Sequence, residues 1–333
     1  MSASEKRFGC LGVFIVVLLC LSLLFNVLFL VGEAFGMTSG GTHNFREKVF
    51  AEGTPTVKSK IAIIRLGGLI SSGDMGFSTG ASPDEIKQAF KQALEDKDVR
   101  AIVLAIDSPG GEVTASDDIY NIVRRARDRK PVVVSMGAMA ASGGYYAALG
   151  GSHIIARDTT FTGSIGVIMQ TLNYADLFGK VGLQMVTFKS GKMKDMLSGS
   201  RPSTPEEREY VQALVMQTYG KFVGIVAAER KLPEDTLRNG VADGRVLSGK
   251  DALDAKLIDQ LGDLDDAVKK AMELGGAAGA TVVEYRMIES LSRYLRIFGK
   301  ADESKRVEIN LGPQSSLHLQ PGRLYLLPEI LAP

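Results

Sequence analysis

Residues 8–32 form an uninterrupted stretch of 25 residues without a charged side chain, and its clearly polar members are Ser22 and Asn26. A helix of that length reaches across a ~30 Å hydrocarbon core with some tilt. A secretory h-region is shorter, about 7–15 residues, so a cleaved leader is the weaker of the two readings. Lys6, Arg7 and the amino terminus precede the stretch, and no Lys or Arg follows until Arg46. That asymmetry predicts a cytoplasmic N-terminus and a remainder sent across the membrane, to the periplasm or cell exterior in a bacterium. Both cysteines, Cys10 and Cys20, lie in the same stretch. The rest of the chain therefore holds neither a disulfide framework nor a cysteine-based metal site. A lipoprotein processing site at Cys20 is disfavoured, because apolar sequence continues well past it.

The remaining length suits one large domain or two small ones. Hydrophobic residues make up 45% of the 333 and the formal net charge is +1. A folded core is expected, and neither a nucleic-acid footprint nor an acidic tail is present. Apolar runs at 61–66, 99–106 and 132–134 alternate with segments of helical period, 83–93 and 114–129, which argues a parallel α/β fold. Ser82-Pro83 opens the first of those helices as cap and first position. Further strands are expected at 153–156, 167–170 and 184–188. Thr204-Pro205-Glu206-Glu207 reads as a capping box opening a long helix, and Ser248 caps another near 250–255. A Gly/Ala stretch at 275–280 breaks the pattern, and the sequence beyond Glu303 has no amphipathic helix of useful length.

One segment carries unusual chemistry. Met136-Gly-Ala-Met-Ala-Ala-Ser142-Gly-Gly-Tyr-Tyr-Ala-Ala148 sets a single serine among small residues, directly after a buried strand and before a helix-compatible run. This places the Ser142 hydroxyl and the Gly143 N–H at a strand-to-helix junction, where the start of a helix favours negative charge. A plain helix cap would look the same. Ser108-Pro109-Gly110-Gly111 follows another strand at the same edge of a parallel sheet and could supply a second oxyanion donor, or be a tight turn. A nucleophilic serine also needs a base. Of three histidines, His43 lies in the linker and His318 in the tail, and His153 starts a strand only 11 residues after Ser142, so a helix running away from the site would carry it to the far end. Lysine can serve if its amine is held neutral. Lys189, Lys192 and Lys194 cluster in one loop, and the residues alone do not separate them. Asp117 and Asp118 read as a solvated pair, and no metal-ligand spacing or phosphate loop is present.

Five stretches, taken in order, resemble the motif series of the signal peptide peptidase A family in its short, single-domain form. They are Asp107-Ser-Pro-Gly-Gly-Glu-Val113, Ser135-Met-Gly-Ala-Met-Ala-Ala-Ser-Gly-Gly-Tyr-Tyr146, Thr162-Gly-Ser-Ile-Gly-Val167, Lys189-Ser-Gly-Lys-Met-Lys-Asp195 and Ala242-Asp-Gly-Arg-Val246. The likeness covers about residues 60 to 270, and the ending Pro321-Gly-Arg-Leu-Tyr-Leu-Leu-Pro328 is similar too. The resemblance implies an α/β fold of the Clp-protease/crotonase type, with stacked strand-strand-helix units after one N-terminal transmembrane helix. It assigns Ser142 as nucleophile, Lys194 as general base, Gly111 and Gly143 as oxyanion donors, and Ser164 as the residue orienting the lysine. It further implies a membrane-tethered, ring-like homo-oligomer whose sites are shared between neighbouring copies, acting on signal peptides left after precursor cleavage.

The expected organisation is a cytoplasmic N-terminus (1–7), a membrane anchor (8–32), a linker (33–58), a serine peptidase domain (59–275) and a C-terminal extension (276–333). A hydrophobic peptide is expected to bind extended against Gly110 and Val113 on one side and Ile165 and Val167 on the other. No cofactor, metal or nucleic acid is called for. Two other readings are acyl-CoA chemistry on the same fold and a catalytically silent membrane scaffold or peptide-binding module.

Overall fold

The computed structural model describes residues 17–27, 45–72, 80–287 and 325–326. It divides into two units, residues 1–44 and 45–333. In the first, residues 17–27 form a helix, α1, exposed along its length. Among the described residues no helix is long and apolar enough to cross a membrane. The rest of the 8–32 stretch, on which the expected span rests, lies outside the described residues.

The second unit runs β1 (Phe45–Ala51), β2 (Lys60–Gly67), α2 (Pro83–Glu95), β3 (Val99–Ser108), β4 (Gly111–Glu112), α3 (Val113–Arg127), β5 (Val132–Ala141) and α4 (Gly143–Ala148). It continues with β6 (His153–Ala156), β7 (Phe161–Gly163), α5 (Ala175–Lys180), α6 (Pro205–Arg230), α7 (Glu234–Arg238), β8 (Val246–Ser248), α8 (Gly249–Asp254), β9 (Gln260–Leu261), α9 (Leu264–Leu274), β10 (Thr281–Met287) and β11 (Tyr325–Leu326). The main sheet has the order β1-β10-β2-β3-β5-β6-β9, with β7 paired to β5 and β8 to β7. Its pairs are parallel, except that β1 on β10 and β8 on β7 are antiparallel.

The apolar runs become central strands because helices cover both faces, so consecutive side chains are buried in opposite directions. Ala62, Ile64, Leu66, Ile102, Leu104 and Val134 face one core, closed by Ile86 and Phe90 of α2, Ile119 and Val123 of α3, and Phe222 of α6. Ile61, Ile63, Ala101, Val103 and Val133 face the other, closed by Ala267, Val268 and Ala271 of α9. β5 is longer than the expected 132–134 and changes partner along its length. Val133–Met136 pair with β6, and Met139–Ala141 pair with β7. That change of partner brings β7 beside the end of β5.

The structure corrects several expectations. Residues 167–170 and 184–188 form no strand, and the second segment is exposed throughout. In the first, Val167, Ile168 and Met169 are half-buried, whereas the second pairs with no strand among the described residues and its Phe188 is 95% exposed. Residues 45–51, expected as linker, form β1. Residues 281–287, expected as extension, form β10, which lies between β1 and β2. Val282 and Val283 bury toward opposite cores, a short pattern hidden by the Gly/Ala stretch before it. Ser82 holds the cap position of α2 with an extended backbone, but its side chain makes no capping bond. The capping box at Thr204 and the Ser248 cap are both present.

Candidate active site

The site lies at the carboxyl end of the parallel strands, where β3, β5 and β7 stop side by side. After β3 the chain turns sharply at Gly110 (φ 108°) and runs into β4. The Ile70 N–H donates to Gly110 O, and the Glu112 N–H donates to Ile70 O, both at 2.8 Å. A Cβ on Gly111 would stand 1.9 Å from Ile70 O, so no larger residue fits this backbone approach. Ser108 braces the turn: its hydroxyl donates to Gly68 O at 2.6 Å and accepts from the Gly110 N–H at 3.1 Å. Glu112 is buried and accepts from the Ser71 hydroxyl at 3.1 Å and the Ser72 N–H at 3.2 Å. On the other edge of β4, Tyr325 and Leu326 pair antiparallel with Glu112 and Gly111.

β5 ends at Ala141, opposite Gly163 at the end of β7. The next residues, Ser142 and Ser164, therefore leave the sheet together, and both have a left-handed backbone, φ 52° and φ 50°. Non-glycine residues rarely adopt this conformation, and it survives only where the surroundings enforce it. Here the Ser142 N–H donates to Gly163 O, and the Ser164 N–H donates to Arg245 O, both at 2.8 Å. The Arg245 carbonyl is set by the 242–246 turn, in which Arg245 pairs with Asp243 at 2.6 Å and Gly244 has φ 92°. That pairing holds the Asp243 carboxyl down, at about 2.

Ser142 opens the six-residue helix α4, its carbonyl accepting from the Tyr146 N–H at 2.8 Å. It is 0% exposed, and its Oγ has no hydrogen-bond partner. A buried hydroxyl left unpaired is costly, so this one stands out in the fold. Gly143 brings the two glycine turns together. A Cβ there would lie 3.0 Å from the Gly111 N and 2.4 Å from the Ser116 Oγ. The backbones of Gly111 and Gly143 thus converge beside Ser142. Of the expected peptide-contacting residues, Gly110 is buried in the turn, and Val113 and Val167 are half-buried. Ile165 buries its side chain in the core, so only its backbone can face a ligand.

The three loop lysines are now separable. Lys189 Nζ pairs with Asp195 at 2.7 Å, and Lys192 Nζ pairs with Glu206 at 2.7 Å. Lys194 is exposed, and its side chain makes no hydrogen bond or ion pair among the described residues. Its backbone sits in a turn, with its N–H donating to Gly191 O at 3.1 Å. No bond joins Lys194 or Ser164 to the Ser142 hydroxyl within one chain.

His153 pairs with Val133 at the opposite end of β5, eight residues back from Ala141, with its ring near Gln260 and Asp259. The Asp117 side chain is not simply solvated. It accepts from the Tyr146 hydroxyl at 2.7 Å and pairs with Lys221 at 2.7 Å. Burial, followed by the Asp117 bond, pushes the Tyr146 phenol well above its usual range. Among the described residues no group of three or more His, Cys, Asp or Glu is placed to hold a metal ion. Ser116, whose hydroxyl stands 2.4 Å from where a Cβ on Gly143 would lie, escaped the sequence reading because that approach arises only on folding.

Comparison with known proteins bears on this geometry. The Clp protease family matches residues 56–160, the portion from the approach to β2 as far as β6, and Peptidase family S49 matches residues 124–278. A Synechocystis sp. protein that carries a protease name is 38% identical over 263 residues, covering 79% of this chain and 91% of its own. An Enterococcus faecium protein named for signal peptide peptidase SppA is 34% identical, with 74% of this chain and 72% of its own covered. Protease 4 of Salmonella typhi is 37% identical over 64% of this chain but only 34% of its own length. The mixed α/β sheet is that of a Clp-protease-like domain, and with likeness over 91% of the Synechocystis protein and 72% of the Enterococcus one, the chain belongs to peptidase family S49, the serine peptidases of the signal peptide peptidase A kind.

Proposed function

We propose that the chain is a membrane-anchored endopeptidase that cuts hydrophobic peptides, chiefly signal peptides released from precursors, with Ser142 as nucleophile and Lys194 as base. The observation that carries this reading is the buried, unpartnered Ser142 hydroxyl beside the converging Gly111 and Gly143 backbones. Neutral Lys194 takes the Ser142 proton as Oγ bonds to the scissile carbonyl carbon. The Gly111 and Gly143 N–H groups stabilise the resulting oxyanion, one such donor being worth about 3 kcal/mol. The C–N bond then breaks, and the Lys194 ammonium returns its proton to the departing amine. Water, deprotonated by the same lysine, hydrolyses the acyl-enzyme.

Selection of Lys194 over its neighbours is supported by ion pairing, since Lys189 and Lys192 are engaged with carboxylates. Lys194 sits on an exposed arm bearing Leu172 (80% exposed), Val186 and Phe188. A base needs its amine desolvated, and an apolar arm of this kind needs a cover. A neighbouring copy in a ring-like homo-oligomer meets both needs, with Lys194 of one chain reaching Ser142 of the next. Anchoring by residues 8–32, with the catalytic unit outside the cytoplasm, is supported by the uncharged stretch and the basic residues before it. An extended substrate suits the β4 edge, which already accepts a strand of this same chain.

The test is peptide hydrolysis by the full-length chain in detergent. Ser142→Ala and Lys194→Ala are each expected to be inactive. Mixed so that copies exchange, they should recover about a quarter of wild-type activity, because one shared site in four then holds both side chains. Activity retained by Lys194→Ala would remove the lysine from the mechanism. Inactive single variants with no recovery on mixing would confine both residues to one chain.

A further inference from the structure

The corner that carries Lys194 contains a charge cluster that the reaction itself does not use. Arg201 forks onto two carboxylates. Its Nε and Nη2 donate to Asp195 Oδ2 and Oδ1 at 2.9 and 2.7 Å, and its Nη1 donates to Glu207 Oε2 at 2.9 Å. Glu207 has only 4% of its side chain exposed, and it also accepts from the Thr204 N–H at 2.8 Å to close the capping box of α6. Asp195, 13% exposed, takes Lys189 as a second cation at 2.7 Å, and Lys189 Nζ reaches back to Lys192 O at 3.1 Å. The charged groups meeting at this corner are Lys189 and Lys192 on the loop, Arg201 before α6, and Glu206, Glu207 and Arg208 in its first turn.

We propose that Arg201 is a positioning residue for the base: by clamping Asp195 against Glu207 at the rigid start of α6, it fixes the turn bearing Lys194 and keeps the adjacent carboxylate from capturing the Lys194 amine. The chemistry of the neighbouring side chains requires such a device. Asp195 follows Lys194 directly, and an unengaged carboxylate within reach of an amine favours its ammonium form, which is useless as a base. The bidentate guanidinium fork supplies geometry as well as charge, and a lysine at 201 could not span both carboxylates in the same way. Arg201 also outlasts pH changes that would release a weaker cation. Its pairing with Asp195, the Arg201 bond first and Lys189 second, holds that carboxyl well below the ordinary range.

The inference rests on the Ser142–Lys194 reading, and the experiment separates the two. In the full-length chain, kcat and KM for a hydrophobic peptide are measured across pH for Arg201→Gln, Arg201→Gln/Asp195→Asn, Lys189→Met and Lys194→Ala. Arg201→Gln is expected to lower kcat about tenfold or more with KM little changed. It should also move the acid limb of the profile about one pH unit upward. The added Asp195→Asn change should bring the limb back, because the capturing carboxylate is gone. Lys189→Met, at a partly exposed position where folding is not at stake, should move the limb in the same direction by less. Limbs unmoved in both Arg201→Gln and Lys189→Met, or a double variant that restores nothing, would overturn the positioning role while an inactive Lys194→Ala leaves the dyad standing. Activity in Lys194→Ala would overturn both.

Discussion

At the residue scale, the site depends on atoms that are missing. Gly111 lies against the Ile70 carbonyl and Gly143 against both Ser116 Oγ and the Gly111 N, so neither backbone can come as close if a Cβ is present. Gly143→Ala is therefore expected to push apart the two N–H groups proposed as oxyanion donors. It should lower kcat about a hundredfold, since one such donor carries that much, and cost about 1–3 kcal/mol in stability through overpacking. Adding Ser116→Ala removes the 2.4 Å clash but not the 3.0 Å one. The double variant should regain stability in thermal melts while kcat stays low. Recovery of both would mean the donors had not moved. The small residues around Ser142 were legible in the sequence, but a plain helix cap has the same look, and the burial and unpaired state of the Ser142 hydroxyl emerge only on folding. Among Lys189, Lys192 and Lys194 the residues alone did not discriminate, because the pairing of the first two with Asp195 and Glu206 arises only across a folded corner.

At the scale of elements, the central strands β2, β3 and β5 and the helices α2, α3 and α6 were readable because unbroken apolar runs and helical spacing have few other solutions. The edge was harder to read. β1 carries three consecutive charges, Arg46-Glu47-Lys48, between apolar residues and is almost wholly exposed, so its signature is the partner β10 that it finds far along the chain. Residues 184–188 show the reverse failure, an expected strand that pairs with no edge among the described residues. The start of α6 was read as a capping box, yet the third carboxylate contact, from Arg201, gives that helix start its pH dependence. The Arg201 bond first, then the Thr204 N–H, bring the Glu207 carboxyl down from 4.5 to about 2. A carboxylate with a depressed folded value lends stability that is complete above its unfolded value and disappears as pH falls through the folded one. Acidification from about pH 6 to pH 2.5 should therefore lower the thermal midpoint of the wild type more than that of Arg201→Gln, and the gap between them should narrow. A gap constant across that range would show that the cluster does not couple to folding.

At the scale of the whole molecule, the chain closes on itself twice. β10 enters the sheet beside β2, and β11, near the C-terminus, lies antiparallel on β4 with Leu326 opposite Gly111. Under the proposed function, the second closure bears on substrate entry. One edge of β4 is taken by Ile70, whose N–H and carbonyl bond to Gly110 and Glu112. The other edge is held by β11, so an extended peptide that adds to β4 must take the place of this tail. The ending Leu324-Tyr325-Leu326-Leu327 has the apolar character expected of the substrate itself. A chain ending at residue 317 is thus expected to show a several-fold lower KM with kcat unchanged, because a competitor tethered at high effective concentration has been removed. A synthetic peptide spanning residues 322–327 should inhibit the truncated chain competitively and the full-length chain more weakly. If truncation leaves KM unchanged and the peptide does not inhibit, substrate uses an edge other than β4, and the stretch following Ser164 becomes the place to look.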